Sequence, residues 1–160
     1  MAACRDLGAV ESGVLVQRDT YFAASQGRLK LREEEGGKTH LVSYLRPDHP
    51  GSRESHYRLV PVKRPDELKA ALSDSLGIVA VVTKRRRLFL RENVRIHLDR
   101  VDDLGDFIEL EAVAPPDSDL SREEEQVRSL RAKLGVEDSD LISVSYCDLA
   151  LGSAPSRSSP

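Results

Sequence analysis

The chain has 160 residues, of which 39% are hydrophobic and 32% charged, with a formal net charge of −3. That length suits one domain large enough for a real core. Few aromatic residues, no tryptophan and an acidic balance exclude a general nucleic-acid binder, which needs stacking rings and a basic excess. No apolar run approaches the roughly 20 residues of a bilayer span, so no membrane partner is expected. Cys4 and Cys147, with no signal-peptide core ahead of them, read as free thiols of a reducing cytoplasm.

Met1 to Val10 reads as the last turns of a helix, stopped by Gly8. Val14 to Ala23 is the first strand, rich in β-branched and aromatic residues. Ser25-Gln26-Gly27 turns the chain into Arg28 to Glu33, where Arg28, Lys30 and Arg32 share one face and Leu29 and Leu31 the other. Gly36-Gly37 turns again into Thr39 to Arg46. After a proline-punctuated loop at Pro47 to Gly51, Ser55 to Val62 is another strand. Arg64 to Leu76 is a helix, with Pro65 in its first turn, a stripe of Leu68, Ala71, Leu72 and Leu76, and Gly77 as its stop.

Three strands follow, near Val79–Leu90, Asn93–Val101 and Gly105–Ala114. The first carries Lys84-Arg85-Arg86-Arg87, so Lys84 and Arg86 share a face. In the hairpin made by the other two, Arg95, His97 and Asp99 share a face, as do Glu109 and Glu111. If those faces meet, three carboxylates converge, and such clusters repel unless a cation lies between them. Hard ions such as Mg²⁺ prefer these oxygen ligands. A hairpin with one solvated face would alternate in the same way. A face built for solubility, however, would intersperse the signs, whereas here the cations gather in early strands and the acids in one late hairpin. That segregation suits a polyanion carrying metal, such as a triphosphate with Mg²⁺.

Pro115-Pro116 closes the sheet. Ser121-Arg122-Glu123-Glu124 is a capping box opening a helix that buries Val127, Leu130 and Leu134 and stops at Gly135. A last helical stretch covers Asp138 to Leu149, and the Ser/Pro-rich tail 152–160 is expected to be disordered. Residues 1–151 then form a single α+β domain of about seven mostly antiparallel strands with flanking helices.

Several blocks resemble, in order, those of the CYTH superfamily, the triphosphate tunnel metalloenzymes: Gln17-Arg18-Asp19-Thr20-Tyr21-Phe22, Gly27-Arg28-Leu29-Lys30-Leu31-Arg32-Glu33, Tyr44-Leu45-Arg46-Pro47-Asp48, Lys84-Arg85-Arg86, and the hairpin from Arg95 to Glu111. Ser145-Tyr146-Cys147-Asp148-Leu149 is similar to the closing motif. The resemblance implies an antiparallel β-barrel with a polar interior. It implies that Lys30, Arg32, Arg46, Lys84, Arg86 and Arg95 hold phosphate oxygens and that Asp99, Glu109 and Glu111 hold Mg²⁺ or Mn²⁺. His97 has two readings, packing and substrate contact.

The hairpin block is closer to the class IV adenylyl cyclases than to the thiamine triphosphatases. The leading expectation is therefore cyclisation of ATP to cyclic AMP and pyrophosphate. A triphosphatase acting on tripolyphosphate or a nucleotide is the alternative, and a non-catalytic polyphosphate-binding module a third. Family members open with a strand carrying Glu-x-Glu-x-Lys, and none precedes Val14 here. A barrel missing that strand would be open, with Val14–Ala23 or its partner as an unpaired edge, which admits a homodimer.

Overall fold

The computed structural model describes residues 1–45 and 56–153. Its strands are β1 (Val10–Phe22), β2 (Arg28–Glu34), β3 (Thr39–Leu45), β4 (His56–Pro61), β5 (Ile78–Arg91), β6 (Val94–Val101) and β7 (Gly105–Ala112). The helices are α1 (Ala2–Asp6), α2 (Pro65–Leu76), α3 (Ser121–Lys133) and α4 (Tyr146–Ser153). Arg46 and the tail from Ala154 onward lie outside the described residues.

All seven strands join one antiparallel sheet in the order β4-β3-β2-β1-β5-β6-β7. β1 is therefore central, hydrogen-bonded to β2 on one side and β5 on the other. Of the two strands expected as an unpaired edge, Val14–Ala23 or its partner, the first is therefore paired on both sides. The outer strands among the described residues are β4 and β7. Gly27 makes the β1–β2 hairpin possible: its φ of +63° is left-handed, and a Cβ there would stand 2.5 Å from the Tyr44 carbonyl oxygen.

Strand alternation divides the sheet into two chemically opposite faces. The outer face buries Phe89 of β5 and Ile96 of β6 under Cys4 of α1 and Ala9, with Leu98, Leu110 and Leu134 packed around them. Leu130 of α3 is fully buried on the same side. α2 sits against β1 and β2 without burying any residue completely. Leu68 and Leu72 are half-buried, but Ala71 and Leu76 of the expected stripe are exposed. The side turned to the sheet includes Lys69, whose ammonium pairs with Glu33 of β2 at 2.7 Å.

The other face is polar and concave. α4 touches Tyr21, Val82, Val101 and Phe107 at one end of this face, and Asp148 of α4 reaches Arg28 of β2. Those residues lie on five consecutive strands, which flat would span about 19 Å. A single helix is only about 10–12 Å across. One helix reaches all five strands most directly if the sheet curls around α4.

Two helix boundaries differ from the sequence reading. Ser121 lies inside α3 instead of capping it. Leu120 is the N-cap residue, the Ser121 hydroxyl donates to Asp119 at 2.6 Å, and Ser118 donates to the Glu123 carboxylate at 2.6 Å. Asp138–Leu149 is not one helix: a 3-10 turn at Asp138–Asp140 gives way to extended backbone at Leu141, and α4 begins only at Tyr146. The new start has a local cause, because Ser145 and Asp148 cap each other reciprocally, with Ser145 Oγ donating to Asp148 at 2.7 Å.

The zero-exposure side chain of Phe89 anchors the outer core. Phe89→Ala should cost about 3–5 kcal/mol in denaturant unfolding, whereas Val60→Ser on exposed β4 should be near neutral.

Candidate functional site: a concave face with two ion-pair clamps

The concave face carries two nearly identical arrangements, one in each half of the sheet. In the first, Asp19 of β1 lies opposite Arg32 of β2. Arg32 donates Nε and Nη2 to the two Asp19 oxygens, both at 2.8 Å, and Lys30 donates Nζ to Asp19 Oδ2 at 2.6 Å. In the second, Asp99 of β6 lies opposite Arg86 of β5. Arg86 donates Nε and Nη2 to Asp99 at 2.7 and 2.6 Å, and Lys84 donates Nζ at 3.1 Å. Each clamp is a Lys-x-Arg pair on one strand gripping an aspartate on the next, and in each the lysine lies over a tyrosine ring. Lys30 stands 5.1 Å from the Tyr21 centroid, and Lys84 stands 5.0 Å from that of Tyr146.

Burial works against ionising Asp19, but the Lys30 charge and the Arg32 hydrogen bonds outweigh it and hold the carboxyl well below its usual range. Asp99 is lowered too, against its burial, by Arg86 and Lys84. Burial also lowers the lysines: Lys84, with Arg86 adding repulsion, and Lys30, which falls to about 8 even beside Asp19. Tyr146 of α4 donates its hydroxyl to Asp99 at 3.1 Å, and burial together with that carboxylate raises its phenol.

β7 supplies the remaining acids, aimed by the β6–β7 hairpin. Asp103 of its turn takes a left-handed φ of 62°, which aspartate tolerates, and sets His97 opposite Glu109 and Arg95 opposite Glu111. Glu109 accepts from Arg86 Nη2 at 2.6 Å and lies 3.2 Å from His97 Nδ1. Crowding opposes its ionisation, but His97 and the Arg86 charge hold it well below the usual glutamate range. Its side chain nonetheless remains 45% exposed. Glu111 pairs with Arg95 at 3.4 Å, and its Oε2 lies 3.8 Å from His97 Nε2.

The sequence-derived residues thus share one face, with Arg46 outside the described residues. Lys30 and Arg32 come together, as do Lys84 and Arg86, and Arg95 stands apart beside Glu111. Arg85 is exposed and Arg87 reaches Glu11, both on the outer face. The three carboxylates do not form a common cluster: among the described residues no three His, Cys, Asp or Glu side chains converge as metal ligands would. Asp99 is engaged by cations on both oxygens, whereas Glu109 and Glu111 offer oxygen donors toward solvent, which is the chemistry a hard divalent ion takes. Asp19, Gln17 and Glu34 were not assigned roles from sequence. Parity with Tyr21 and Lys30 would have placed all three on this face.

A CYTH domain model matches residues 2–146, so the chain belongs to the CYTH family. No curated protein matches it. Among solved structures it is similar to the PH1012 protein of Pyrococcus horikoshii, with 24% identity and a TM-score of 0.82 over 92% of this chain and 90% of that one. It is also similar to a protein of Vibrio parahaemolyticus described as a "putative adenylate cyclase", at 17% identity and TM-score 0.70 over 94% of this chain and 91% of that one. A Bacillus halodurans protein with the same description matches at 19% identity and TM-score 0.52 over 87% of this chain and 82% of that one. At these identities the likeness establishes a shared fold. Among the described residues no helix is long and apolar enough to cross a membrane.

Removing one partner of a buried clamp leaves the others uncompensated. Asp99→Asn should therefore cost about 3–5 kcal/mol in thermal or denaturant unfolding, while Glu111→Gln, at the wet rim, should cost little. A second expectation concerns pH. The unfolded chain keeps the Lys30 proton up to 10.5, the folded chain only to about 8, so between those values the unfolded state binds more protons and stability from this group rises with pH. Anion affinity runs the other way, falling as pH passes through about 8 and the ammonium facing Asp19, Tyr21, Arg32 and Lys84 loses its charge. Titrating tripolyphosphate binding by calorimetry across pH 7–9.5 should show this step in the wild type and not in Lys30→Arg.

Proposed function

We propose that the concave face binds a triphosphate with a divalent metal ion and acts on it, most specifically as an adenylyl cyclase of class IV type that converts ATP to cyclic AMP and pyrophosphate. The twin clamps carry this reading. Lys30, Lys84 and Arg86, buried, and Arg32, half-buried, place four cations on one face, each held in position and each able to exchange a carboxylate for phosphate oxygens. Glu109 and Glu111 would hold Mg²⁺ or Mn²⁺, with Asp99 joining them when phosphate draws Arg86 away. The metal would supply charge stabilisation for the departing pyrophosphate. The curl around α4 supports closure of the sheet into a tunnel. The cyclase reading is favoured over other triphosphate chemistries by the hairpin block and by the description attached to two structural neighbours.

A triphosphatase is the second reading. The near-equivalence of the clamps favours it, because two like half-sites suit a ligand made of phosphates alone. Incubation with ATP or with tripolyphosphate plus Mn²⁺ separates the two: cyclic AMP selects the cyclase and orthophosphate the triphosphatase. Binding without either product would reduce the protein to a polyphosphate-binding module. Charge reversal at Arg32 should weaken triphosphate binding roughly thirtyfold or more, and the same change at outward Arg85 should leave it nearly unaltered. Equal effects at the two positions would sink the reading.

A further inference from the structure

Gln17 occupies an unusual position on the concave face. It is 2% exposed, stands two residues from Asp19 on β1, and pairs in register with Glu34 of β2 on one side and Lys84 of β5 on the other. Its carboxamide nitrogen donates to Glu34 Oε1 at 2.7 Å. That bond fixes the orientation of the amide, because the reverse orientation would set its oxygen against a carboxylate. The carboxamide oxygen is left turned from Glu34 with no hydrogen-bond partner. The other candidates lie elsewhere: Glu33 Oε2 on the outer face is met by the Lys69 ammonium at 2.7 Å, and Gln126 Oε1 is on α3. A buried acceptor without a donor carries an uncompensated desolvation cost. The neighbouring clamp residues are either pure donors or aspartates already gripped by cations. Among the described residues, Gln17 Oε1 is therefore the buried side-chain oxygen of this face that no donor meets, and a ligand hydroxyl reaches it once phosphate has displaced the side chains that cover it.

We propose that Gln17 is a catalytic residue whose carboxamide oxygen receives a hydrogen bond from the hydroxyl that attacks phosphorus, aiming that oxygen at the phosphate between the clamps. The inference rests on the triphosphate reading above. Both nucleophiles considered there, water and an alcohol, carry an O–H that needs an acceptor near the reacting phosphate. A neutral amide orients without taking the proton, as glutamine does with attacking water in other phosphoryl-transfer sites. A lone pair of the nucleophile forms the new O–P bond. The bridging P–O bond breaks, its electron pair leaving on the departing phosphate, and the nucleophile's proton passes to a phosphate oxygen of the ligand.

The test compares the wild type with Gln17→Met, which keeps bulk and removes the acceptor, and Glu34→Leu, which keeps Gln17 but frees its amide to turn. Steady-state kinetics with tripolyphosphate and with ATP, both with Mn²⁺, would be set beside calorimetric Kd values for metal-free tripolyphosphate. Gln17→Met should lower kcat by roughly a hundredfold with KM and Kd essentially unchanged, and Glu34→Leu should lower kcat by less. A rise in KM and Kd with kcat preserved would overturn the inference, because Gln17 would then read a donor on the bound ligand. Unchanged constants would overturn it as well. If Gln17→Met fails to fold, Glu34→Leu decides, and an unaltered kcat there rejects the proposal. A wild type that binds tripolyphosphate but turns over neither substrate would refute this inference and leave the binding reading standing. A wild type that binds neither ligand would refute both.

Discussion

Burying like charges side by side is the constraint on which this molecule turns. Lys30, Arg32, Lys84 and Arg86 lie on one face of one sheet, near enough to lower one another's proton affinity or oppose one another's charge. Such a face is tolerable only if each cation has an anion in contact, since an unpaired buried charge costs several kcal/mol. Asp19 and Asp99 meet that need with the same three-point grip. The pairing does not make the fold stable on its own account, because apolar replacements of such sets are often as stable or more so. It makes a cationic surface that folds in the absence of ligand and, on the proposed function, would exchange one set of oxygens for another in its presence.

The apolar energy comes from elsewhere. Phe89 and Ile96 lie under α1 on the outer face, where α3 buries its own Leu130, and Tyr21, Val82 and Val101 cluster with Cys147 of α4 at one end of the inner face. The sheet is thus held from outside along its length and from inside at one end only. The middle of the inner face is left to polar side chains. The stabilising contacts are thus placed away from the charges, so the polar middle of the face can change without dissolving the fold.

Much of this was legible from alternation. Parity alone separated Lys84 and Arg86 from Arg85 and Arg87, and Lys30 and Arg32 from Leu29 and Leu31, because a strand's period of two is rigid. The strands were placed within a few residues for the same reason. Helices were less legible. A stripe such as Leu68, Ala71, Leu72 and Leu76 names an apolar side but not its rotation against a sheet, and α2 turns Lys69 inward to meet Glu33. Ser121 fitted a capping pattern, yet Asp119 and Ser118 upstream do that work. In the site, the grouping of acids by hairpin implied a cluster of three. The register instead sends Asp99 to Arg86 and shares Glu109 between Arg86 and His97, a choice that depends on which strand lies next to which. Asp19 and Gln17 took no role from the sequence because alternation puts a residue on a face without saying which side chain across the hairpin meets it; their partners, Lys30, Arg32 and Glu34, all sit on β2.

The sequence separations of these contacts imply an order of assembly. Within the first clamp the partners are 11 and 13 residues apart, within the second 15 and 13, so each is closed inside its own hairpin. The Arg28–Asp148 bond spans 120 residues. Loop-closure entropy favours the short ones first. During synthesis, each pair of cations can therefore be neutralised as soon as its hairpin leaves the ribosome, long before α4 exists. The charged lining is defused locally, hairpin by hairpin, and the nascent chain does not have to hold bare like charges together while it waits for the helix around which the sheet finally curls.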